Sequence, residues 1–175
     1  RGFAVVQVSK TGGSIEFVDS LVVGTSLAAG AAAYDVALNG TSNSIAGGVT
    51  FLNTGTLALG NGDADNTVFG GPLTHTAGPT VVRGTVTATD SDVTFAALNT
   101  SGVALIASGT GDIQTGSVVL ADSAVLTFAT SAPGGVTVAG IAGTAGLPSS
   151  DVEFDAGGAI LVTGTVGPAI GALTV

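Results

Sequence analysis

The chain repeats itself near its end, and this repeat constrains the fold more than any other feature of the sequence. Residues 134–140 (GGVTVAG) return as residues 157–164 (GGAILVTG), with Ala159 as an extra residue, and Asp151-Val152 matches Thr174-Val175 at a similar interval. Each copy is an apolar or β-branched stretch closed by glycine on both sides, which is typical of a strand between tight turns. A unit this short cannot bury its apolar side alone, so the copies must stack on one another. The sequence therefore predicts a β-solenoid.

Phenylalanine marks a second rhythm. Triplets made of an aliphatic residue, a polar residue and phenylalanine occur at residues 15–17, 49–51, 93–95, 126–128 and 152–154. In a strand the first and third side chains of such a triplet point to the same side. We expect these pairs to stack along the interior of a parallel β-helix, from coil to coil. A single triplet would fit the core of an antiparallel β-sandwich of the jelly-roll type equally well, and that fold is the alternative.

Short strands separated by turn clusters fill the chain from residue 49 onward. The clusters are rich in Gly, Asn and Asp, as at residues 60–63 and 108–112. Strands this short and frequent leave no room for crossover helices, so an all-β fold is predicted. The predicted strands are residues 49–53, 56–59, 80–88, 93–97, 103–107, 117–121, 124–129, 136–139, 152–155, 160–163 and 172–175.

The first 48 residues have a different pattern. Residues 3–8 and 15–23 predict longer strands, and the Ala-rich segment at 27–33 predicts a short turn or helix after a buried strand. We therefore divide the chain into residues 1–48, a cap or docking arm, and residues 49–175, the solenoid repeat region.

The cap and the docking arm make different predictions about the first strand. A solenoid needs atypical ends, and a cap would supply one. An arm would instead pair with the sheet edge of a neighbouring copy, donating its strand through Phe3, Val5, Val6 and Val8. The sequence leaves both readings open.

Charge excludes two classes of partner. Charged residues make up 9% of the chain, against about 25% in an average soluble protein, and the net charge is −9. The three bases, Arg1, Lys10 and Arg83, are scattered, whereas binding to nucleic acid requires clustered cations. Attraction to an anionic membrane surface fails for the same reason. The chain also has no cysteine, which rules out disulfides and thiolate metal sites.

Calcium is the metal that the sequence favours. Asp63, Asp65, Asp90 and Asp92 place hard oxygen ligands in predicted turns, as Ca²⁺ binding requires. Neither pair completes an EF-hand loop, because Val68 stands where glycine belongs, and neither matches the glycine- and aspartate-rich repeat of calcium-binding β-rolls. The four aspartates are candidate calcium ligands, and solvated turn acids are the alternative.

The sequence predicts that the chain is not an enzyme. The single histidine, His75, lies in a turn-rich segment and is predicted to be an exposed loop residue, and there is no Gly-x-Ser-x-Gly elbow. The pairs Asp90/Asp92 and Glu153/Asp155 are spaced for a shared strand face and stay formally open for carboxylate hydrolysis. No cofactor is required by this interpretation.

Several segments together resemble a known kind of repeat. They are residues 108–113, 135–138, 143–147, 151–154 and 167–175. Their style resembles the β-strand repeats of filamentous-haemagglutinin-like and autotransporter-passenger proteins, over roughly residues 49 to 175. The resemblance implies a right-handed parallel β-helix on a bacterial surface with an adhesive or structural role. No secretion-domain motif is recognisable, so we expect an interior segment of a longer chain or a shorter relative.

These observations lead to two functional hypotheses. The first is an extracellular structural or adhesive module of stacked β-repeats, whose Thr-, Ser- and Asn-rich surface contacts a host ligand or further copies. The second is a self-assembling subunit of an extracellular filament or surface layer, folded as a β-sandwich, that donates its N-terminal strand to the next subunit. Both place the chain at the cell surface with no transmembrane segment.

Overall fold

The strands of this chain stack in parallel into a β-solenoid. A computed structural model describes residues 2–144 and 149–175, and within these ranges the chain forms sixteen strands and no helix. Every pairing between these strands is parallel, and they build about eight coils. The predicted all-β class and parallel β-helix are confirmed, and the antiparallel β-sandwich is wrong. Part of segment 143–147, one of the segments that resemble known β-strand repeats, lies outside the described residues.

The strands are short except in the middle of the chain. In order they are β1 (Phe3–Val8), β2 (Ser14–Phe17), β3 (Val22–Ala29), β4 (Asp35–Leu38), β5 (Ser42–Ile45), β6 (Val49–Thr50), β7 (Leu57–Leu59), β8 (Asn66–Phe69), β9 (Leu73–Ala88), β10 (Val93–Gly109), β11 (Ile113–Leu120), β12 (Val125–Thr130), β13 (Val136–Gly143), β14 (Ser150–Ala156), β15 (Ile160–Val162) and β16 (Ile170–Thr174).

Parallel pairing arranges these strands in three ladders, which form three faces of the solenoid. The first face runs β3, β5, β8, the ends of β9 and β10, β12, β14 and β16. The second face runs β1, the end of β3, β6, the starts of β9, β10, β11 and β13, and β15. The third face runs β2, β4, β7, the middles of β9 and β10, and the ends of β11 and β13.

Strands β9 and β10 each pass through all three faces. Their register begins with Leu73 opposite Val93 on the second face and reaches Thr85 opposite Leu105 on the first. The corner of β9 is made by Gly84, which has φ +85. A Cβ atom there would lie 2.4 Å from the carbonyl oxygen of Asp65, so both the backbone angle and the close approach require glycine.

One interior column runs along the whole second face, because inward side chains in the same register stack from coil to coil. Its members are Val8, Ala29, Phe51, His75, Phe95, Thr115, Val138 and Val162. From Ala29 to Val138 these side chains are at most 3% exposed. The core is therefore a set of continuous columns inside the solenoid.

The phenylalanine triplets have the predicted orientation, but only the triplets at 126–128 and 152–154 stack directly on each other. In four triplets the aliphatic residue and the phenylalanine are buried and the polar residue between them faces outward, as in Val49, Thr50 and Phe51, whereas Ile15 and Phe17 are only partly buried. Leu126 and Phe128 stack directly on Val152 and Phe154, as expected. The triplet at 49–51 does not stack on the one at 93–95, because Leu73 and His75 lie between them.

The C-terminal repeat corresponds to adjacent coils. Val136 pairs with Ile160 and Val138 with Val162, which confirms the interval read from the glycine-bounded copies. The second part of the alignment is wrong, because Asp151 pairs with Ala172 rather than with Thr174. The interval between paired residues is therefore 24 for Val136 and Ile160 but 21 for Asp151 and Ala172.

Residues 2–48 take part in the same stacking. Strand β3 pairs with β5 and β5 with β8, so the parallel pairing runs across residue 48. Strand β3 extends to Ala29, so residues 27–29 form a strand and not the predicted turn or helix. The alternation of a strand buries the side chains of both Leu27 and Ala29 in the core. Strand β1 pairs with β3 of its own chain.

Candidate functional site

The second face carries a column of polar side chains on its outer surface. It consists of outward positions in consecutive coils, and we call it the polar column: Thr50, Thr74, Thr94, Gln114 and Thr137. Adjacent strands of a sheet lie about 4.8 Å apart, so the column presents one hydroxyl or amide at each such interval. The sequence places these residues there because each is the middle member of a triplet whose neighbours are buried.

Two shallow grooves flank the polar column near the C-terminal end. One, of about 370 Å³, is lined on one side by Asp92 and Asp112 and also by Leu161. The other, of about 460 Å³, is lined by small side chains that include Ala96, Gly116 and Ala139. Both grooves share Thr94, Gln114 and Thr137.

The acids beside this groove link neighbouring coils. The Asp92 carboxylate accepts a hydrogen bond at 2.9 Å from the backbone N–H of Asp112, and the Asp112 carboxylate accepts one at 2.8 Å from the N–H of Gly135. Each carboxylate therefore satisfies a backbone donor at the turn of the next coil, where the ladder of strand hydrogen bonds is interrupted. The predicted turn acid Asp92 thus has a structural partner.

Asp63 and Asp65 belong to one turn and point to different partners. Asp63 accepts hydrogen bonds from Arg83 Nε at 2.7 Å and from the N–H of Val103 at 3.1 Å. The Arg83 hydrogen bond, with that of Val103, holds the pKa of Asp63 below its ordinary value, and Asp63 raises the pKa of Arg83. Asp65 is buried, and its carboxylate caps the same turn by accepting from the N–H groups of Asn61 and Gly62, both at 2.8 Å.

Asp90 lies in a turn with φ +47, and its carboxylate accepts from the N–H of Thr110 at 3.2 Å. Asp90 and Asp92 therefore lie in a turn rather than on a shared strand face, whereas Glu153 and Asp155 do share the outer face of β14. Within residues 2–144 and 149–175, no three acids or histidines come together as a metal-binding group. The four candidate calcium ligands are thus dispersed among turns, and calcium binding stays a prediction.

His75 is buried, and its prediction as an exposed loop residue is wrong. It has no exposed surface and occupies the interior column between Phe51 and Phe95. Nε2 donates to the carbonyl oxygen of Asn53 at 3.0 Å, and Nδ1 accepts from the Thr80 hydroxyl at 2.9 Å. This arrangement fits the neutral imidazole, and burial lowers the pKa of His75. The ring is closed off from solvent and serves as a core residue.

Two buried asparagines also escape the sequence reasoning. Asn43 accepts from the N–H of Leu21 at 3.0 Å and donates to the carbonyl of Gly40 and the hydroxyl of Thr67. Asn53 donates to the carbonyl of Tyr34 at 3.1 Å. Both side chains satisfy backbone groups at corners between faces. Strand alternation gives a signal for Asn43, since it has the parity of the buried Ile45.

The residues predicted for strand donation form the first strand of the solenoid. Val8 is buried and Val6 partly buried, whereas Phe3 and Val5 are 59% and 60% exposed. Among the described residues β1 has one partner, β3. The exposed side chains of Phe3 and Val5 are what this segment offers for an interaction.

Comparisons with protein-family models, with curated proteins and with solved structures each found no match to this chain. The resemblance to haemagglutinin-like and autotransporter-passenger repeats therefore stays a prediction. The described residues also include no helix that is long and apolar enough to cross a membrane. The site is thus defined by its own geometry: an outward polar column with two grooves, and the exposed apolar side chains of Phe3 and Val5 on the first strand.

Proposed function

We propose that this chain is a non-catalytic structural or adhesive module that acts outside the cell. The polar column is the observation that carries the proposal. It places one hydroxyl or amide in each of five successive coils on a surface held rigid by the core behind it. A rigid, repeating polar surface loses less conformational entropy than a flexible one when it contacts an extended ligand at several points.

The hydrogen bonds made by His75 and by the turn aspartates support a non-catalytic role. His75 is enclosed in the core, and the carboxylates of Asp63, Asp65, Asp90 and Asp92 accept hydrogen bonds from turn donors. General acid–base catalysis needs a titratable group within reach of a bound substrate. His75 and these four aspartates are instead engaged in hydrogen bonds within the solenoid.

Surface display tests the adhesive role. Non-adherent bacterial cells that display the chain are expected to bind a layer of mucin, a heavily glycosylated protein, more strongly than cells without it. Replacing Thr94, Gln114 and Thr137 together by alanine is expected to remove most of this binding. The matched control replaces Thr85 and Thr127, outward residues of the first face, by alanine and is expected to retain it. Equal adhesion with and without the chain would contradict the adhesive role.

A second candidate function is that of a subunit in an extracellular filament or surface layer. The observation that favours it is the exposure of the apolar side chains of Phe3 and Val5 on β1, a strand that carries no charged residue. An exposed apolar strand readily pairs with another strand. Sedimentation of the 175-residue chain over a range of concentrations tests this function, and a single monomeric species throughout would contradict it.

A further inference from the structure

The groove beside Asp92 and Asp112 lies across coils that are covered on both sides. Strands β10, β11 and β13 cross it, and each of them pairs with a strand before it and a strand after it. One rim of the groove is the turn that carries the two aspartates, and the other rim is the polar column with Thr94, Gln114 and Thr137. The groove therefore follows the solenoid axis from coil to coil.

Both carboxylates keep an oxygen atom for a ligand. Asp92 and Asp112 each accept the backbone N–H of the next coil through Oδ1. This hydrogen bond holds the side chain in place, and Oδ2 can accept a hydrogen bond from a bound molecule. Since Val93 pairs with Ile113, the two aspartates occupy the same position in adjacent coils, with backbones about 4.8 Å apart. They form a pair of acceptors along one rim.

The groove has no positive charge to balance these carboxylates. Of the described residues that line the two grooves, none is basic. Arg83 binds Asp63 at the corner between the third and first faces, whereas Asp92 and Asp112 lie at the corner between the first and second. An anionic ligand in this groove would meet two like charges and no opposite one, which disfavours binding.

The opposite rim narrows the class of ligand. The hydroxyls of Thr94 and Thr137 and the amide of Gln114 can each donate and accept a hydrogen bond. The hydroxyl groups of a ligand have the same double capacity, whereas an ammonium group only donates and would leave the donors of this rim unpaired. A neutral, hydroxyl-rich ligand matches both rims, because it can donate to the carboxylates and exchange hydrogen bonds with the polar column.

The spacing of the coils favours a glycan over a peptide. Polar groups recur about every 4.8 Å along the column, whereas an extended peptide presents side chains on one side only about every 6.6 Å. A peptide along the axis would therefore lose step with the column within two coils. A glycan carries hydroxyl groups around each ring and has no such fixed side. Pro133, exposed at the rim, offers an apolar surface for the C–H face of a sugar ring.

From these features we infer that the groove binds a neutral glycan chain lying along the solenoid axis, and that Asp92 and Asp112 determine its specificity. Their Oδ2 atoms accept hydrogen bonds from sugar hydroxyls, and their charges disfavour glycans that carry carboxylate or sulfate groups. The inference rests on the proposed adhesive function and names the ligand class of the same surface.

Mucin before and after sialidase treatment tests this preference. Sialidase removes acidic sugars, so binding of the purified chain is expected to rise about fivefold, the effect of one like-charge contact in water. Asp92→Asn combined with Asp112→Asn keeps an acceptor for each backbone N–H but removes both charges, and the rise is expected to disappear. The matched control, Asp151→Asn with Asp155→Asn, removes two charges from the outer face of β14 and is expected to keep it. Asp112→Asn alone serves if the double variant fails to fold by circular dichroism.

The outcomes separate the groove from the adhesive function. A rise of the same size in the Asp92/Asp112 variant would overturn the inference, because the repulsion would then come from the net charge of the whole chain, while adhesion would stand. Tighter binding of chitosan oligomers than of their neutral acetylated counterparts, lost in the same variant, would also overturn it by assigning the groove to a cation. Failure to bind either mucin would overturn the adhesive function together with the inference.

Discussion

The Nδ1 atom of His75 lies 2.9 Å from the hydroxyl of Thr80, and both side chains are completely buried. Thr80 belongs to the third face and His75 to the second, so this hydrogen bond crosses the interior of a single coil within β9. On its other side, His75 donates to the carbonyl of Asn53 in the preceding coil. The imidazole thus joins two faces and two coils through groups that would otherwise be unpaired in the core.

This histidine is expected to make stability depend on pH. Burial holds its pKa in the folded protein below the ordinary value of 6.5. Below that pH the unfolded chain binds a proton that the folded chain does not, so the free energy of unfolding falls as the pH decreases from about 6.5 towards the folded pKa, and levels off below it. The loss of stability is complete once the pH is below both values.

Urea unfolding at a series of pH values between neutral and mildly acidic measures this effect. His75→Gln is the control, because an amide can donate to Asn53 and accept from Thr80 but does not titrate. We expect the slope of stability against pH to flatten in this variant. An unchanged slope would assign the pH dependence to other groups.

The position of His75 could have been predicted from its triplet. Leu73-Thr74-His75 has the form of the phenylalanine triplets, with one ring replaced by another. The turn signals on both sides, Gly70-Gly71-Pro72 and Gly78-Pro79, obscure it. These residues do form corners, but corners in this fold lie directly beside strands. A glycine- or proline-rich segment in this fold therefore does not exclude a strand in the residues next to it, as it would in a fold with longer loops.

The solenoid itself follows from the sequence, whereas its coil boundaries do not. Glycine-bounded apolar copies indicate stacking, because they have no other way to bury their inner sides. Strands β5 and β8 escape detection because they turn the polar side chains of Asn43 and Thr67 inward, and β4 escapes because it follows the Ala-rich segment, which predicts a turn or helix. Those side chains pair with each other across coils, and a contact of this kind is invisible in a single strand.

The outward polar column is predictable residue by residue but not as a site. Alternation places Thr94 and Thr137 outside. It does not place Gln114 between them, since the strand that begins at Ile113 follows a glycine-rich turn with no recognisable strand start. The acid-to-turn hydrogen bonds depend on the same coil register, so Asp92 and Asp112 look like solvated turn residues in the sequence.

The stacked pair of Phe128 and Phe154 is expected to contribute strongly to stability. Their ring centroids are 5.5 Å apart, and Phe128 has no exposed surface. Phe128→Ala would leave a cavity in a column that cannot collapse, with an expected loss of about 3–5 kcal/mol in the free energy of unfolding. The outward neighbour provides the control, since Thr127→Ala is expected to change it by less than about 0.5 kcal/mol.

A double-mutant cycle separates the pair from simple burial. Combining Phe128→Ala with Phe154→Ala should reveal a coupling of about 0.5–1.5 kcal/mol, because each ring loses its partner in the other's variant. Chemical denaturation of the four proteins supplies the values. Strict additivity would show that the rings contribute only by the surface they bury.

Gly84 is expected to tolerate no side chain. Its φ of +85 is unfavourable for other residues, and an added Cβ would meet the carbonyl oxygen of Asp65. Gly84→Ala should therefore destabilise the chain by at least about 1–2 kcal/mol. At Gly24 the nearest atom to an added Cβ is 3.6 Å away, and Gly24→Ala is expected to be neutral or slightly stabilising. Similar melting temperatures for the two variants would contradict this account of the corner.

The role of the turn carboxylates can be separated from calcium binding at Asp92. Asp92→Ala removes the acceptor for the N–H of Asp112 and is expected to lower stability by about 0.5–1.5 kcal/mol, whereas Asp92→Asn keeps an oxygen in place and should cost less. If Asp92 acts only by this hydrogen bond, a chelator leaves the melting temperature of the wild-type chain unchanged, because only a metal bound to the folded state would add stability that chelation removes. A melting temperature that rises with added Ca²⁺, and does so less in Asp92→Asn, would instead support calcium coordination by this carboxylate. Thermal unfolding in chelator and in calcium chloride, run on all three proteins, distinguishes a brace between coils from a metal ligand.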